Sequence, residues 1–394
     1  MNIGSAKMHR QLPDLVLDPA EFETLLTPVL ACYPQMVDSN IHTILRLLGG
    51  NAARWQPHIK TTKMQFMMRQ LCGRGVVQFK CATTLELLNA CQAGAKEVLI
   101  AYPSTANRAK RIREIVREFP EVRICATVEN AEQIEAWRGS SIALFIDINP
   151  GMDRTGIDQR AIEEIVAIAS SIRRAGIEFA GLHYYDGHHR EVDLKLRTVT
   201  AHAGYEQLMR IIDGLEKAAI PVPVLITSGT PSLPCSLSFP GFQNGSFLHR
   251  VSPGTIVFND VVSLTQLPEE WDFRFAAVVV ASVVSHPAPG VITCDAGHKA
   301  VSSDAGFPNC IVLGHPELEP QQPSEEHLPI RVPEGTAVPR IGDILYLVPK
   351  HICTTVHNFD SALLVRGGKV AEVINVEARG REMYVASALQ GNPT

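Results

Sequence analysis

The chain contains no run of ~18 apolar residues, the length a helix needs to cross a bilayer, so no membrane-spanning helix is expected. Its opening stretch, MNIGSAKMHRQLPDLVLD, lacks the apolar core of a secretory signal. Positive charge is not in excess. The 36 Lys and Arg are set against 41 Asp and Glu, a net charge of -5, which removes the electrostatic case for nucleic acid or an anionic membrane as partner. Nine cysteines are present without a single CxxC pair. They are expected to be reduced, buried thiols of a cytoplasmic protein, with Cys353 an exception. There is no low-complexity segment and no internal repeat beyond a β-α rhythm.

What is there is a chain of 394 residues, 45% hydrophobic and 20% charged, which is too long for one typical core and predicts two domains. From about Pro28 to residue 250, short β-type runs alternate with helical patterns. The runs are Pro28–Cys32, Pro57–Lys60, Val76–Cys81, Glu97–Tyr102, Val122–Val128, Ile142–Ile148, Glu178–Tyr185 and Val222–Thr227. Helical spacing fills stretches such as Asn107–Glu118, Gln159–Ala175 and Asp193–Ala218. Such alternation predicts a parallel α/β sheet, and eight runs favour a closed (β/α)8 TIM-type barrel, whose working residues lie where strands end. From Arg274 onward β-branched runs are broken by Pro and Gly, which predicts a second, all-β C-terminal domain. The expected division is an N-terminal segment over 1–24 packing on the β-domain, a barrel over 25–262 and a β-domain over 263–394.

Several stretches carry candidate chemistry. In Trp55-Gln56-Pro57-His58-Ile59-Lys60-Thr61-Thr62-Lys63, Pro57 favours an extended approach to a lysine at a strand tip. Such a lysine can hold an aldehyde cofactor as a Schiff base if desolvation or a neighbouring cation, Lys63 for one, lowers its pKa; the same residues also fit an ordinary strand end. Thr227-Ser228-Gly229-Thr230-Pro231-Ser232 fits either a plain turn or a phosphate cradle, with small residues letting backbone N–H groups approach an anion. Asp147 to Gly156 delivers a carboxylate and then Arg154, whose planar fork suits a carboxylate or a ring oxygen, or else an Asp–Arg pair that closes a loop. Gly181 to His189 brings Tyr185 to a strand tip for stacking, with histidines as proton carriers, though adjacent His188 and His189 cannot both face one site from a regular strand. His351 and Cys353, two apart on a strand, share a face and can bind one cation, a soft pair that favours zinc over magnesium.

Taken in order, these residues resemble the D-threonine aldolase / D-serine dehydratase family of pyridoxal-phosphate enzymes with the alanine-racemase-type barrel. The resemblance runs from about Pro28 to Arg381. It rests on Pro57-His58-Ile59-Lys60-Thr61, Cys81-Ala82-Thr83, Gly151 to Gly156, Gly181-Leu182, Tyr185, Gly187 and Ser228-Gly229-Thr230-Pro231. It continues through Asp295 to Ala300, Ser324 to His327, Gly342-Asp343, Val348-Pro349, His351-Ile352-Cys353 and Ala378-Arg379-Gly380. It implies pyridoxal 5'-phosphate on Lys60, its phosphate at Ser228, Gly229, Thr230 and Pro231, and Tyr185 and Arg154 close to the cofactor. It also implies a divalent metal on His351 and Cys353 (zinc ahead of manganese or magnesium) and a homodimer. Where the family reads Lys-Thr-His-Lys this chain has Lys60-Thr61-Thr62-Lys63, and where it reads Glu-x-Arg-Pro-Gly this chain has Arg250-Val251-Ser252-Pro253-Gly254.

The implied activity is that of a lyase on β-hydroxy-D-amino acids. In dehydration, Lys60 removes the α-proton and a D-serine or D-3-hydroxyaspartate type substrate yields ammonia and a keto acid. The alternative is D-threonine-type aldol cleavage to glycine and an aldehyde, with His188 or a water taking the hydroxyl proton. His-x-Cys favours the dehydratase. A racemase and a non-catalytic pyridoxal-phosphate-binding protein are the remaining readings.

Overall fold

A computed structural model of the chain describes residues 6–9, 11–189 and 191–383; Met1–Ser5 and Arg10 of the expected N-terminal segment, Arg190, and the C-terminal residues from 384 lie outside the described residues. The chain divides into two compact units. One holds Leu48–Lys60, Met68–Gly254 and the stretch from Gly380; the other holds the residues up to Leu47, Thr61–Met67 and Thr255–Arg379. Among the described residues no helix is long and apolar enough to cross a membrane.

The first strand in chain order, β1 (Val29–Cys32), belongs to the unit that also contains the C-terminal β-structure. The run Pro28–Cys32 was expected as the first barrel strand. Instead β1 lies antiparallel to the strand Ala277–Ala288, with Val29 opposite Val280, and parallel to Ser361–Arg366. The reason is packing: Ala31 and Tyr33 share one core with Val278, Val280, Leu363 and Val365. A four-residue apolar strand carries no mark of which sheet it will enter, and tertiary burial decides.

The barrel unit is built from β2 (Gln78–Cys81), β3 (Glu97–Ile100), β4 (Arg123–Val128), β5 (Ala143–Asn149), β6 (Ile157–Asp158), β7 (Phe179–Tyr184), β8 (Val224–Thr227) and β9 (Leu248–Val251). They pair in the order β2-β3-β4-β5-β7-β8-β9, with β6 beside β5, and every pairing is parallel. The ring is closed by Trp55–Ile59, which is bridge and turn rather than a full strand. Gln56 N–H donates to Val251 O at 2.9 Å, Ile59 N–H to Lys80 O at 2.8 Å, and Lys80 N–H to Pro57 O at 2.9 Å. With that segment the seven-strand path becomes a ring of eight. The missing eighth run is therefore Leu248–Val251, whose His249 and Arg250 hid it from an apolar count.

Arg250 to Gly254, the stretch that departs from the family pattern, holds this closure together. The Arg250 guanidinium donates to Ala53 O at 3.0 Å and Gln56 Oε1 at 3.2 Å, and pairs with Glu97. Ser252 Oγ donates to Gln56 O at 2.7 Å, and the fully buried Trp55 donates its Nε1–H to Pro253 O at 2.9 Å. At Gly254 a Cβ would lie 2.1 Å from His58 O, so any side chain there would push the closing segment outward. These contacts fix the backbone that leads into Lys60.

The outer helices follow their sequence signals. Ile162–Arg174 buries Ile165, Ile168, Ala169 and Ile172 along one stripe, with Glu163 and Glu164 in its first turn and Arg173 and Arg174 in its last, charges that complement the helix dipole. Leu194–Lys217 starts at Asp193, whose carboxylate accepts from the N–H groups of Lys195 and Leu196, a cap worth about 1 kcal/mol.

The second unit is all-β apart from short helices and Pro34–Leu47. After β1 come β10 (Ala277–Ala288), β11 (Val291–Cys294), β12 (Cys310–Val312), β13 (Glu319–Pro320), β14 (Leu328–Arg331), β15 (Ile344–Pro349), β16 (Ser361–Arg366) and β17 (Lys369–Asn375). They form a nine-stranded sheet in which β1 sits between β10 and β16. Met8, Leu15 and Leu17 of the N-terminal segment pack into the core with Val278, Tyr346 and Val348, and Leu17 N–H donates to Tyr346 Oη at 2.8 Å. All nine cysteines are free thiols, and eight of them are buried.

Candidate active site

Lys60 follows the closing segment and sits in a turn over residues 59–62, not at the tip of a full strand. Its backbone N–H donates to His58 Nδ1 at 3.2 Å, which sets the turn. Its Nζ lies 5.8 Å from the centre of the Tyr185 ring. Two more cations face that ring: Lys80 Nζ at 5.4 Å and Arg154 Cζ at 4.8 Å. Lys63 is buried at a positive φ of 53°, and its Nζ donates to Ala378 O at 3.3 Å.

Tyr185 is seated by two glycines. A Cβ on Gly187 would lie 2.3 Å from Tyr185 Oη, and one on Gly229 would lie 3.0 Å from its Cε2. The turn after β8 is therefore packed against the tyrosine ring. Ser228 in that turn has a φ of 62°, a left-handed backbone that costs a residue with a Cβ about 1–2 kcal/mol. Its Oγ is buried and meets no hydrogen-bond partner among the described residues. The next residues are held from behind: Gly229 N–H donates to Ser232 Oγ at 3.2 Å, and the Ser232 hydroxyl and the Tyr205 phenol both donate to the buried Asp186 carboxylate at 2.5 Å. Thr230 is buried in the same turn, with Pro231 following. A strained, braced turn with an unanswered hydroxyl and no side chain at Gly229 fits the phosphate of pyridoxal phosphate.

Inside the barrel a buried line of polar groups crosses from β2 to β7, which stand opposite each other in the ring. Lys80 Nζ lies 3.4 Å from His183 Nε2, His183 Nδ1 is 2.7 Å from Asp147 Oδ1, and the Thr155 hydroxyl donates to Asp147 Oδ2 at 2.8 Å. Burial raises the Asp147 carboxyl, but the His183 ring, the Thr155 hydroxyl and Arg154 outweigh it and hold it below its usual range. Burial, then the charge of Lys80, keeps His183 below its ordinary value, so the ring is neutral with its Nδ1–H donated to Asp147. Its Nε2 lone pair then faces Lys80. Burial first and the Lys60 charge next bring Lys80 down to about 7.

His188 lies past the end of β7, with its ring centre 4.1 Å from that of His189 and its Nδ1 buried without a partner among the described residues. The two rings lie against each other in a turn, so the alternation of a strand does not govern them. His351 and Cys353 were expected on one strand, but β15 ends at Pro349, and His351 is the residue before the helix Ile352–His357, which contains Cys353. The two are linked by a helical turn, not a pleat; burial lowers the His351 ring, but Cys353, Asp260 and Asp304 beside it outweigh burial and raise it above its ordinary value. His351 Nδ1 is 2.6 Å from Asp304 Oδ2, and Cys353 Sγ is 3.0 Å from the hydroxyl of Thr61, the residue after Lys60 in the chain. Among the described residues no three His, Cys, Asp or Glu side chains converge as a metal-holding group. The donor set is therefore an imidazole and a thiolate, which fits a borderline-soft divalent ion with open positions.

The sequence expectations thus fall into one cluster, Lys60, Arg154, Tyr185, Ser228, Gly229, Thr230 and Pro231, with His188 at the β7 exit and the His351/Cys353 pair in the other unit. Lys80 and the bracing role of Asp186 were missed, and His183 was read only as part of a motif.

The chain matches the family model "Alanine racemase, N-terminal domain" over residues 34–260 and the model "Putative serine dehydratase domain" over residues 276–365. It is 26% identical to a D-threonine aldolase from Arthrobacter sp, covering 93% of this chain and 92% of that one. Among solved structures it is similar to a D-threonine aldolase from Filomicrobium marinum, with a TM-score of 0.81 and 24% identity over 90% of this chain and 96% of that chain. It is also similar to a D-threo-3-hydroxyaspartate dehydratase from Delftia sp. HT23, with a TM-score of 0.77 and 22% identity over 91% and 98% of the two chains. A cysteine-to-alanine mutant of a D-threo-3-hydroxyaspartate dehydratase has been solved in the metal-free form. At these identities the two solved structures speak for the fold. The match over most of the barrel, together with the lysine, tyrosine and braced turn found inside it, places this chain in the family of the alanine racemase N-terminal domain.

Proposed function

We propose that the chain is a pyridoxal-phosphate-dependent, metal-assisted lyase that dehydrates β-hydroxy-D-amino acids of the D-serine or D-3-hydroxyaspartate type to a keto acid and ammonia. The observation that carries the reading is the turn at Ser228 and Gly229, whose buried hydroxyl has no partner among the described residues and whose missing side chain lets the Tyr185 ring pack against the turn, in the same barrel as Lys60. Pyridoxal phosphate, when bound, supplies an electron sink, and a divalent metal supplies a Lewis acid. The chain's own groups do the rest. Ser228 Oγ holds the phosphate, Tyr185 presents a flat face, and the exposed Arg154 guanidinium above that ring orients a carboxylate or a ring oxygen. Lys60 Nζ takes the proton from the substrate's α-carbon. His351 and Cys353 are the residues that would hold the metal. Zinc is favoured over manganese or magnesium by the thiolate.

The Cys353 donor favours dehydration, in keeping with the dehydratase whose cysteine mutant is described as metal-free. Aldol cleavage is the second reading, favoured by the aldolase name of the Arthrobacter relative, with His188 available to take the hydroxyl proton. The resemblance also implies a cytoplasmic homodimer. The deciding assay offers D-serine, D-threonine and D-3-hydroxyaspartate to the purified chain. Ammonia without glycine supports dehydration, glycine with an aldehyde selects the aldolase, and reaction confined to L-isomers overturns the stereochemical assignment.

A further inference from the structure

Lys80 is a lysine that strand patterning alone would send to solvent, yet it is 2% exposed and lies in the middle of the barrel. Among the described residues its amine meets no carboxylate directly. The partner at hydrogen-bond distance is the neutral His183 ring, and the groups acting on it from each neighbouring element are Lys60 from the closing segment, Asp147 and Arg154 from β5 and the turn after it, and Asp186 from the exit of β7. Two of these are positive. The two carboxylates are already engaged, Asp147 by His183 and Thr155, Asp186 by Ser232 and Tyr205. The line from Lys80 through His183 and Asp147 reaches Thr155 and a shallow cleft lined by Asp147, Arg154, Thr155 and Tyr185. A buried amine without a counter-anion, linked by hydrogen bonds to a cleft, is arranged to change its charge when an anion arrives.

We propose that Lys80 takes up one proton from solvent when an anionic ligand group settles beside Lys60, with His183 and Asp147 positioning its amine. The change is a protonation only: the neutral amine accepts a proton, no other bond is made or broken, and the gained charge balances the ligand. This role rests on the pyridoxal-phosphate reading of the site. By reciprocity, an anion that draws a proton onto Lys80 binds less tightly as pH rises. Lys80 stands at about 7 in the free chain, so at pH 8 roughly 0.9 of its amine is neutral and at pH 6 roughly 0.1.

The test is calorimetry of the full chain, freed of cofactor and titrated with pyridoxal 5'-phosphate in two buffers of different ionisation enthalpy. Comparison of the wild-type chain with Lys80→Arg, which cannot lose its charge, cancels the protons exchanged by Lys60 and by the ligand. The wild-type chain is expected to take up ~0.5–0.9 proton more than Lys80→Arg at pH 8, and the difference should shrink to ~0.1 at pH 6. Lys80→Met, which carries no amine, must show the same difference if the arginine is not tolerated. Binding with equal proton uptake in the wild-type chain and both variants overturns the role of Lys80 and leaves the cofactor reading intact. A wild-type chain that neither binds pyridoxal phosphate nor turns yellow overturns both.

Discussion

Replacing Ser228 by alanine separates the cost of the phosphate turn from its use. Ser228 adopts a φ of 62°, and alanine would pay the same backbone strain because both residues carry a Cβ, so the substitution removes the hydroxyl and little else. That hydroxyl is buried without a partner among the described residues, a state that costs ~1–3 kcal/mol. The cofactor-free variant is therefore expected to be more stable than the wild-type chain by ~1 kcal/mol, a rise in Tm of about 1–3 °C for a chain of this size. Affinity for pyridoxal phosphate should move the opposite way. A hydrogen bond to a charged phosphate is worth ~1.5–3 kcal/mol, which predicts a Kd raised roughly 10- to 150-fold. Thermal melts of the cofactor-free chain and an absorbance titration with the cofactor read the two effects separately. A variant that melts lower and binds pyridoxal phosphate as before would refute the assignment of this turn, since the hydroxyl would then be a structural donor.

Three other outcomes follow from the same geometry. Lys60→Ala should abolish the yellow colour and its bleaching by borohydride; a variant that stays yellow and bleachable points to another amine. Cys353→Ala, or chelation, should remove turnover at least ~100-fold while leaving the colour, and unchanged turnover takes the metal out of the reaction. Lys80→Met should stabilise the fold in a pH-dependent way. Burial first and the Lys60 charge next lower Lys80 to about 7 in the folded chain, so the unfolded chain binds the extra proton between that value and about 10.4. The resulting destabilisation is fully present below about pH 7 and fades as pH rises past 10, so the variant's gain, of order a few kcal/mol, should be largest near neutrality and fall below ~1 kcal/mol at pH 10. Denaturant melts at pH 7 and pH 10 with an identical gain would refute it.

The motifs were legible because each is local. A Gly-containing turn, a tyrosine two residues before a glycine and a lysine after a proline all announce their backbone within a few residues of themselves. The ring was less so. The closing segment Trp55–Ile59 has only two bridges and owes its place to Arg250, Ser252 and Pro253, about two hundred positions away, so nothing near Pro57 in sequence shows that it pairs with Val251 rather than with Val29–Cys32. The pair His351 and Cys353 was found for a spacing of two that suits a strand, but the structure satisfies it with the first turn of a helix, where the N-terminal residue and one in the first turn can still meet.

Lys80 shows why the inner polar line escaped notice. In Gln78-Phe79-Lys80-Cys81 the alternation is plain, polar and apolar by turns, and the ordinary reading gives Phe79 and Cys81 to the core and Gln78 and Lys80 to solvent. That rule assumes one wet face. In a closed parallel barrel the outer face is covered by helices and the inner face by the opposite strands, and all four residues of β2 are buried. Lys80 is thus turned toward the lumen, where it reaches across to His183 on β7, and Gln78 is spent on the closing segment, donating to Ala52 O and Trp55 O. The inner face of a barrel large enough to hold a cofactor has to be polar somewhere. A charged residue at the polar positions of a short barrel strand is therefore better read as facing the ligand than as facing water, and here that reading converts an unremarked lysine into the residue whose charge should answer the cofactor's.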